Sequence, residues 1–211
     1  MDFTVLKFDH CGKRIYTFDR NRLEADNCRC PICQELMRFS LIEAPIIVPS
    51  PFINGHKVPY AFLIGSSQGP AFISELLNSE IHVGVTNSQG VVYSYTSSGV
   101  LNQDHGWEQC LCVPLVAPGG TGCETLWDNK LEQFSLLPNW SPDRFEEERE
   151  FGSCCYGFAL SFLNQLRRSE SRDLISRNEF TLQHVLPCVK RATKYITIYQ
   201  EIYQHGFYIA H

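Results

Sequence analysis

Apolar and polar positions alternate from Phe3 to Phe8 and again from Arg14 to Phe18, with Asp9, His10, Cys11, Gly12 and Lys13 between them. A period of two bounded by turn residues predicts two short strands joined as a hairpin, with ligand-type side chains at its tip. A Pro-rich passage, Pro45 to Pro59, reads as a connector with strand pieces. Beyond it, Tyr60 to Ile64 and Ile81 to Thr86 are predicted strands, and Val91 to Tyr95 returns after the turn residues Asn87-Ser88-Gln89-Gly90 as a β-hairpin. Pairing Asn87 with Gly90 sets Tyr95 opposite His82. Glu108 to Leu115 makes a further strand with Cys110 and Cys112 on one face, read as buried structural thiols.

In the second half the period lengthens to that of a helix. Thr121-Gly122-Cys123-Glu124 fits a capping box ahead of Trp127, Leu131 and Phe134 on one stripe, with Cys123 read as inert. A second helix is expected from Ser153, whose hydroxyl can cap the free amides of the first turn, with Tyr156, Ala159, Leu163 and Leu166 on the buried face. The last helix is predicted to start at Pro187, to bury Val189, Ala192, Ile196, Tyr199 and Tyr203, and to stop at Gly206; His205 fits a dipole partner in its final turn. The pattern is that of an α+β protein, with a small N-terminal module over residues 1–40 and a larger domain over 41–211 in which an antiparallel sheet packs with helices.

Composition narrows the function classes. With 44% hydrophobic and 12% aromatic residues the chain can fill a core. A net charge of -5 and a pI near 5.8 show no surplus of cations to neutralise phosphates, so no nucleic acid is expected as a partner. The dense run Glu146, Glu147, Glu148, Arg149 and Glu150 is acidic and reads as a solvated surface. The opening residues do not resemble an export signal and no stretch is long and apolar enough for a membrane span, so an intracellular site, cytoplasmic or nuclear, is expected. In a reducing compartment the ten cysteines are expected as free thiols for burial, metal binding or catalysis.

Two groups could carry chemistry. His10, Cys11, Cys28, Cys30 and Cys33 offer the nitrogen and sulfur ligands that zinc takes in tetrahedral sites, and Cys30-Pro31-Ile32-Cys33 has the spacing that turns two sulfurs toward one ion. Cys11-Gly12 fits the opposing knuckle of a zinc ribbon. A regular second pair would need a cysteine where Phe8 stands, so His10 or Cys28 supplies the fourth ligand. A structural zinc is expected, because about 40 residues rarely hold a core without a staple. The second group is His82 on a strand and Cys155 in the first turn of a helix, where exposed amides and the positive dipole end favour a thiolate and an imidazole could serve as base.

His82-Val83-Gly84-Val85 on a strand, a tyrosine-bearing hairpin return, and Cys155-Tyr156-Gly157-Phe158 opening a helix resemble the circularly permuted papain-like proteins. These include the PPPDE desumoylating isopeptidases and the lecithin retinol acyltransferase-like enzymes. The resemblance implies a permuted papain-like domain and a catalytic order in which His precedes Cys. It makes Cys155 the nucleophile and His82 the general base; the third residue, which orients the imidazole, departs from the family pattern here, and the Tyr95 or Tyr93 hydroxyl across the hairpin could take that place. The residue usually Asn before the nucleophile is Cys154 here, which leaves Cys154 and Cys155 both open for that role.

A broader resemblance runs through Lys7-Phe8-Asp9-His10-Cys11, Cys30-Pro31-Ile32-Cys33, Pro51-Phe52-Ile53-Asn54-Gly55-His56, His82 to Asn87, Gly90-Val91-Val92-Tyr93 and His205-Gly206-Phe207-Tyr208. These segments resemble the makorin opposite-strand protein family, which implies a two-part N- and C-terminal organisation. Two functions are therefore expected as alternatives. One is a cysteine-dependent hydrolase or acyl transferase acting on an amide, isopeptide or thioester bond of a protein or acyl-protein substrate; the other is a catalytically silent protein-interaction module.

Overall fold

The alternating segments form two antiparallel sheets in the computed structural model, which describes residues 3–18, 29–36, 44–66, 81–116, 124–146 and 154–210. In chain order the strands are β1 (Val5–His10), β2 (Lys13–Phe18), β3 (Ile46–Val48), β4 (Ala61–Ser66), β5 (Ile81–Thr86), β6 (Val92–Thr96), β7 (Gly99–Gln103) and β8 (Leu111–Pro114). The helices α1 (Glu124–Ser135), α2 (Cys155–Ser169), α3 (Arg177–Phe180) and α4 (Leu186–His205) precede the last strand, β9 (Tyr208–Ala210). Two compact units result, one of residues 1–51 with 191–211 and the other of residues 52–190. The C-terminal segment thus groups with the N-terminal hairpin.

In the first unit the sheet order is β3-β1-β2-β9. The hairpin pairs Val5 with Phe18 through His10 with Lys13, and β9 adds to its far edge with Arg14 opposite Ala210. Val5, Ile15 and Phe18 are buried, and Phe18 meets Phe3 at 5.1 Å and Tyr199 at 4.7 Å between ring centroids. In α4 the buried residues include Ala192, Tyr195, Ile196, Ile198 and Ile202. The expected stripe is thus rotated at its end: Tyr203 is 72% exposed and Ile202 takes the inward position. Gly206 ends the helix as expected, its amide bonded to the Ile202 carbonyl.

In the second unit the sheet order is β7-β6-β5-β4-β8. Phe62 pairs with Val85 and Val85 with Tyr93, so these side chains share one face. Helix α2 covers it, with Phe158 and Phe162 fully buried, Tyr95 and Trp140 against Phe158, and Trp127 against Phe162. The opposite face carries Ala61, Leu63 and Val92, packed with Trp107 and Cys110. Cys110 is fully buried and Cys112 half-buried on this face, as expected for structural thiols.

The helix starts differ in detail. Ser153 and residues 121–123 of the expected capping box lie outside the described residues, as do Cys28 and Cys123. Cys154 occupies the N-cap of α2 without a side-chain cap bond. Pro187 is not a helix start: helical backbone begins at Arg177 and passes through a π-type turn, Thr181–Val185, into α4. A proline cannot donate to the carbonyl four residues back, and a locally widened turn accommodates that loss. No helix among the described residues is long and apolar enough to cross a membrane.

Candidate functional site

The hairpin tip is a two-residue turn, Cys11-Gly12, with φ of 53° and 67°. Two left-handed residues match the twist of the flanking strands, and placing a cysteine in the first costs about 1 kcal/mol. The facing turn is closed by the antiparallel bridge Arg29 to Leu36, with the Cys30 amide on the Glu35 carbonyl and the Gln34 amide on the Cys30 carbonyl, each at 2.9 Å. Inside it the Ile32 amide donates to Cys30 Sγ at 3.4 Å. Cys30 is fully buried against Phe8 and Ile15, with Phe207 and Ile209 beside them. Phe8, where a regular second cysteine pair would need a thiol, is a core residue.

His10, Cys11, Cys30 and Cys33 converge, with all four ligand atoms within 4.8 Å of one another. His10 Nδ1 lies 3.1 Å from Cys11 Sγ and 3.9 Å from Cys33 Sγ, and Cys11 Sγ lies 3.9 Å from Cys30 Sγ. The thiols perturb one another. Cys11 is pushed up to about 12, first by its hydrogen bond with Cys33 and then by desolvation. At Cys30 burial pushes upward, but the Cys33 and Ile32 amides and the neighbouring thiols outweigh it and leave the thiol near 7. The cluster can hold one metal ion, His10 completing the ligands.

The second expected constellation is built differently. β5 and β6 are antiparallel neighbours, but Gly84 pairs with Ser94 and Val85 with Tyr93. Continuing that register sets Tyr95 beside Val83, one residue away from the expected pairing with His82. The reason is the turn: Asn87 Oδ1 accepts from the amides of Gln89 and Val91, both at 2.9 Å, and the Asn87 amide bonds to the Val91 carbonyl. The loop therefore has one residue more than assumed, and a one-residue shift moves every side chain to the other face. Tyr95 is fully buried on the α2 side, and its hydroxyl donates to the Ser141 carbonyl at 2.7 Å.

His82 lies on the other face, half-buried with its ring 5.7 Å from that of Trp107. Burial holds its imidazole below the ordinary value. Cys155 begins α2, and burial pushes its thiol up to about 11 against the downward pull of the Val83 amide. Cys154 is buried as well. Among the described residues no hydrogen bond joins His82 to either cysteine. The β5 face that carries the imidazole and the helix that carries the thiol are on opposite sides of the sheet.

Sequence reasoning missed His56, whose Nδ1–H donates to the Gly90 carbonyl at 2.8 Å while Nε2 accepts the Trp107 amide at 3.2 Å. Both ring nitrogens are engaged with backbone, so His56 ties the β5–β6 turn to the Trp107 loop. The signal was present in the segment Asn54-Gly55-His56, where Asn54 Oδ1 caps a short helical turn at the His56 amide.

A family model described as DUF4796 C-terminal matches residues 45–202. The MKRN2 opposite strand protein of Homo sapiens is 38% identical over 206 residues, covering 97% of this chain and 88% of the human protein. No solved structure matches. The quoted segments, the family model and this near full-length identity agree, and the chain belongs to the MKRN2 opposite strand protein family.

Proposed function

We propose that this protein is a zinc-stapled protein-interaction module, in which one structural Zn²⁺ ties the β1–β2 hairpin to the 29–36 turn in a zinc-ribbon-like arrangement. The observation that carries it is the convergence of His10, Cys11, Cys30 and Cys33 within 4.8 Å. Zinc–sulfur bonds near 2.3 Å in a tetrahedron require sulfur–sulfur edges of about 3.8 Å. The Cys11–Cys30 separation of 3.9 Å fits that edge, whereas a disulfide needs about 2 Å. Four protein ligands leave no open position, which is the pattern of a structural ion rather than a catalytic one. In this reading the 52–190 unit keeps a permuted papain-like frame of antiparallel sheet and helix without a working Cys–His pair.

A cysteine-dependent hydrolase or acyl transferase acting on an amide, isopeptide or thioester bond is the second reading. Cys155 in the first turn of α2 favours it. Against it stand the opposite-face position of His82, the upward shift of the thiol and the engagement of Tyr95 elsewhere.

Metal analysis of full-length protein purified without chelator is expected to give one zinc per chain. Cys30→Ser should lose it, and chelation should lower the unfolding midpoint, because binding energy of an ion absent from the unfolded state is folding energy. Substoichiometric zinc with no loss of stability on chelation overturns the staple. A thiol-reactive ubiquitin-like or acyl-thioester probe tests the rest: labelling that disappears in both Cys155→Ala and His82→Ala would establish the hydrolase instead.

A further inference from the structure

In the 52–190 unit a cleft of about 360 Å³ opens at the C-terminal end of α2, a volume within the range of small-molecule sites. Its floor is apolar and aromatic: Trp127, Leu163, Ile175 and Phe180 line it and are buried. Leu126 stands on its wall, 50% exposed. The Trp127 indole N–H is already donated to the Thr86 carbonyl at 3.0 Å, so the ring offers the cleft apolar surface without an unmet donor.

The rim is cationic. Lys130, Arg167 and Arg172 border the cleft, with Glu170 the single carboxylate among the described residues that line it, and Arg172 is paired with Glu170 at 3.2 Å. Lys130 meets the Ser169 hydroxyl, and Arg167 Nε donates to the Asp173 carbonyl. Among the described residues neither of these two cations has a carboxylate partner. The competing explanation is that they answer the negative end of the α2 dipole. That end is already capped, because the Leu166, Arg167 and Arg168 carbonyls accept amides from Glu170, Ser171 and Arg172. The π-type turn adds His184 to the lining beside Phe180.

We propose that this cleft binds a small organic anion with a flat apolar body, its carboxylate between Lys130 and Arg167 and its body on the Trp127–Leu163 floor. Desolvated apolar contact supplies affinity, and Lys130 and Arg167 supply the choice of an acid over its neutral analogue. The site is independent of the zinc staple and of Cys155.

The test titrates full-length protein with 2-naphthoate and with the neutral 2-naphthamide at low ionic strength, followed by calorimetry and amide NMR. The acid is expected to bind about tenfold more tightly than the amide, the margin of one charge-assisted hydrogen bond, with shifts centred on Leu126, Lys130 and Leu166. Lys130→Gln should remove most of that margin while leaving the amide's affinity unchanged. Leu126→Glu, at a half-exposed position, should abolish acid binding with the unfolding midpoint preserved. Equal affinity for acid and amide, or an acid titration unaffected by both substitutions, overturns the proposal. So does the result expected of mere dipole partners: no saturable binding, with Lys130→Gln lowering the unfolding midpoint instead.

Discussion

Gly90→Ala should be among the most damaging single-methyl additions in the 52–190 unit, and its cost can be worked from the geometry. Gly90 has φ of 77°, where an alanine is disfavoured by about 1 kcal/mol. A Cβ there would lie 1.9 Å from the His56 carbonyl oxygen and 2.8 Å from its carbon. The neighbour is backbone and cannot rotate away, so the turn must shift by roughly 1 Å, with an overpacking cost of about 1–3 kcal/mol. That shift also breaks the His56 Nδ1 to Gly90 carbonyl bond of 2.8 Å, worth about 1 kcal/mol net. The sum is about 3–5 kcal/mol. Gly106→Ala is the control, because Gly106 has φ of 95° but nothing within 4 Å of its added Cβ, and about 1 kcal/mol is expected. Equilibrium urea unfolding followed by tryptophan fluorescence compares the two. If Gly90→Ala falls within 1 kcal/mol of Gly106→Ala, the close approach of His56 is not real and the tie between turn and Trp107 loop fails with it.

Alkaline pH should weaken the fold between about pH 9 and 11. Burial raises Cys155 to about 11, Cys112 to about 11 and Cys110 to about 12, from an ordinary 9.0. In that window the unfolded chain has released protons that the folded chain retains, so stability is full below pH 9 and falls as pH rises. Urea midpoints at pH 8 and pH 10.5, compared between wild type and Cys110→Ala, check this, and a smaller drop in the variant is expected. Tyr95→Phe should cost about 1–2 kcal/mol, because it leaves the Ser141 carbonyl without its 2.7 Å donor. The rate of iodoacetamide modification at Cys155 should not change in this variant, and a slowed rate would return Tyr95 to a catalytic role.

How much of this was legible depended on how local the determinants were. The hairpin tip and the Cys30-Pro31-Ile32-Cys33 turn were readable because each ligand pair lies within a few residues of its own turn. That His10 joins them follows from its place beside Cys11 at the hairpin tip. The β5–β6 register was not readable from turn composition, since it depends on the Asn87 side chain bridging two amides. β7 begins at Gly99 and carries no clean alternation, with burial running from buried Gly99 to exposed Leu101 and Asn102. β9 is three residues long and exists by pairing with a strand almost 200 positions earlier. Lys130 and Arg167 share a cleft only through tertiary packing, and no spacing rule connects them.

The His-Val-Gly-Val segment deserves a physical explanation that does not presuppose catalysis, and Trp107 provides one. The added Cβ of Gly84 would sit 3.1 Å from one indole carbon and 3.2 Å from the next, and that of Gly65 would meet two others at 3.3 Å. Gly65 and His82 are cross-strand partners, with Gly84 two residues along on the same face. Two glycines thus clear a seat for the indole, and His82 borders it, 5.7 Å from the ring. The seat is held from above by polar contacts: Trp107 Nε1 donates to Gln103 at 3.1 Å, its amide to His56 Nε2, and its carbonyl accepts the Gly55 amide at 2.8 Å. Val83 and Val85 meanwhile point to the α2 side and are buried there. A strand with an aliphatic face under a helix and an indole seat on the other face requires alternation of this kind, with glycine wherever the ring lies flat against backbone. The same four residues that resemble a catalytic strand are therefore accounted for by packing alone, and this weighs toward the interaction module over the hydrolase.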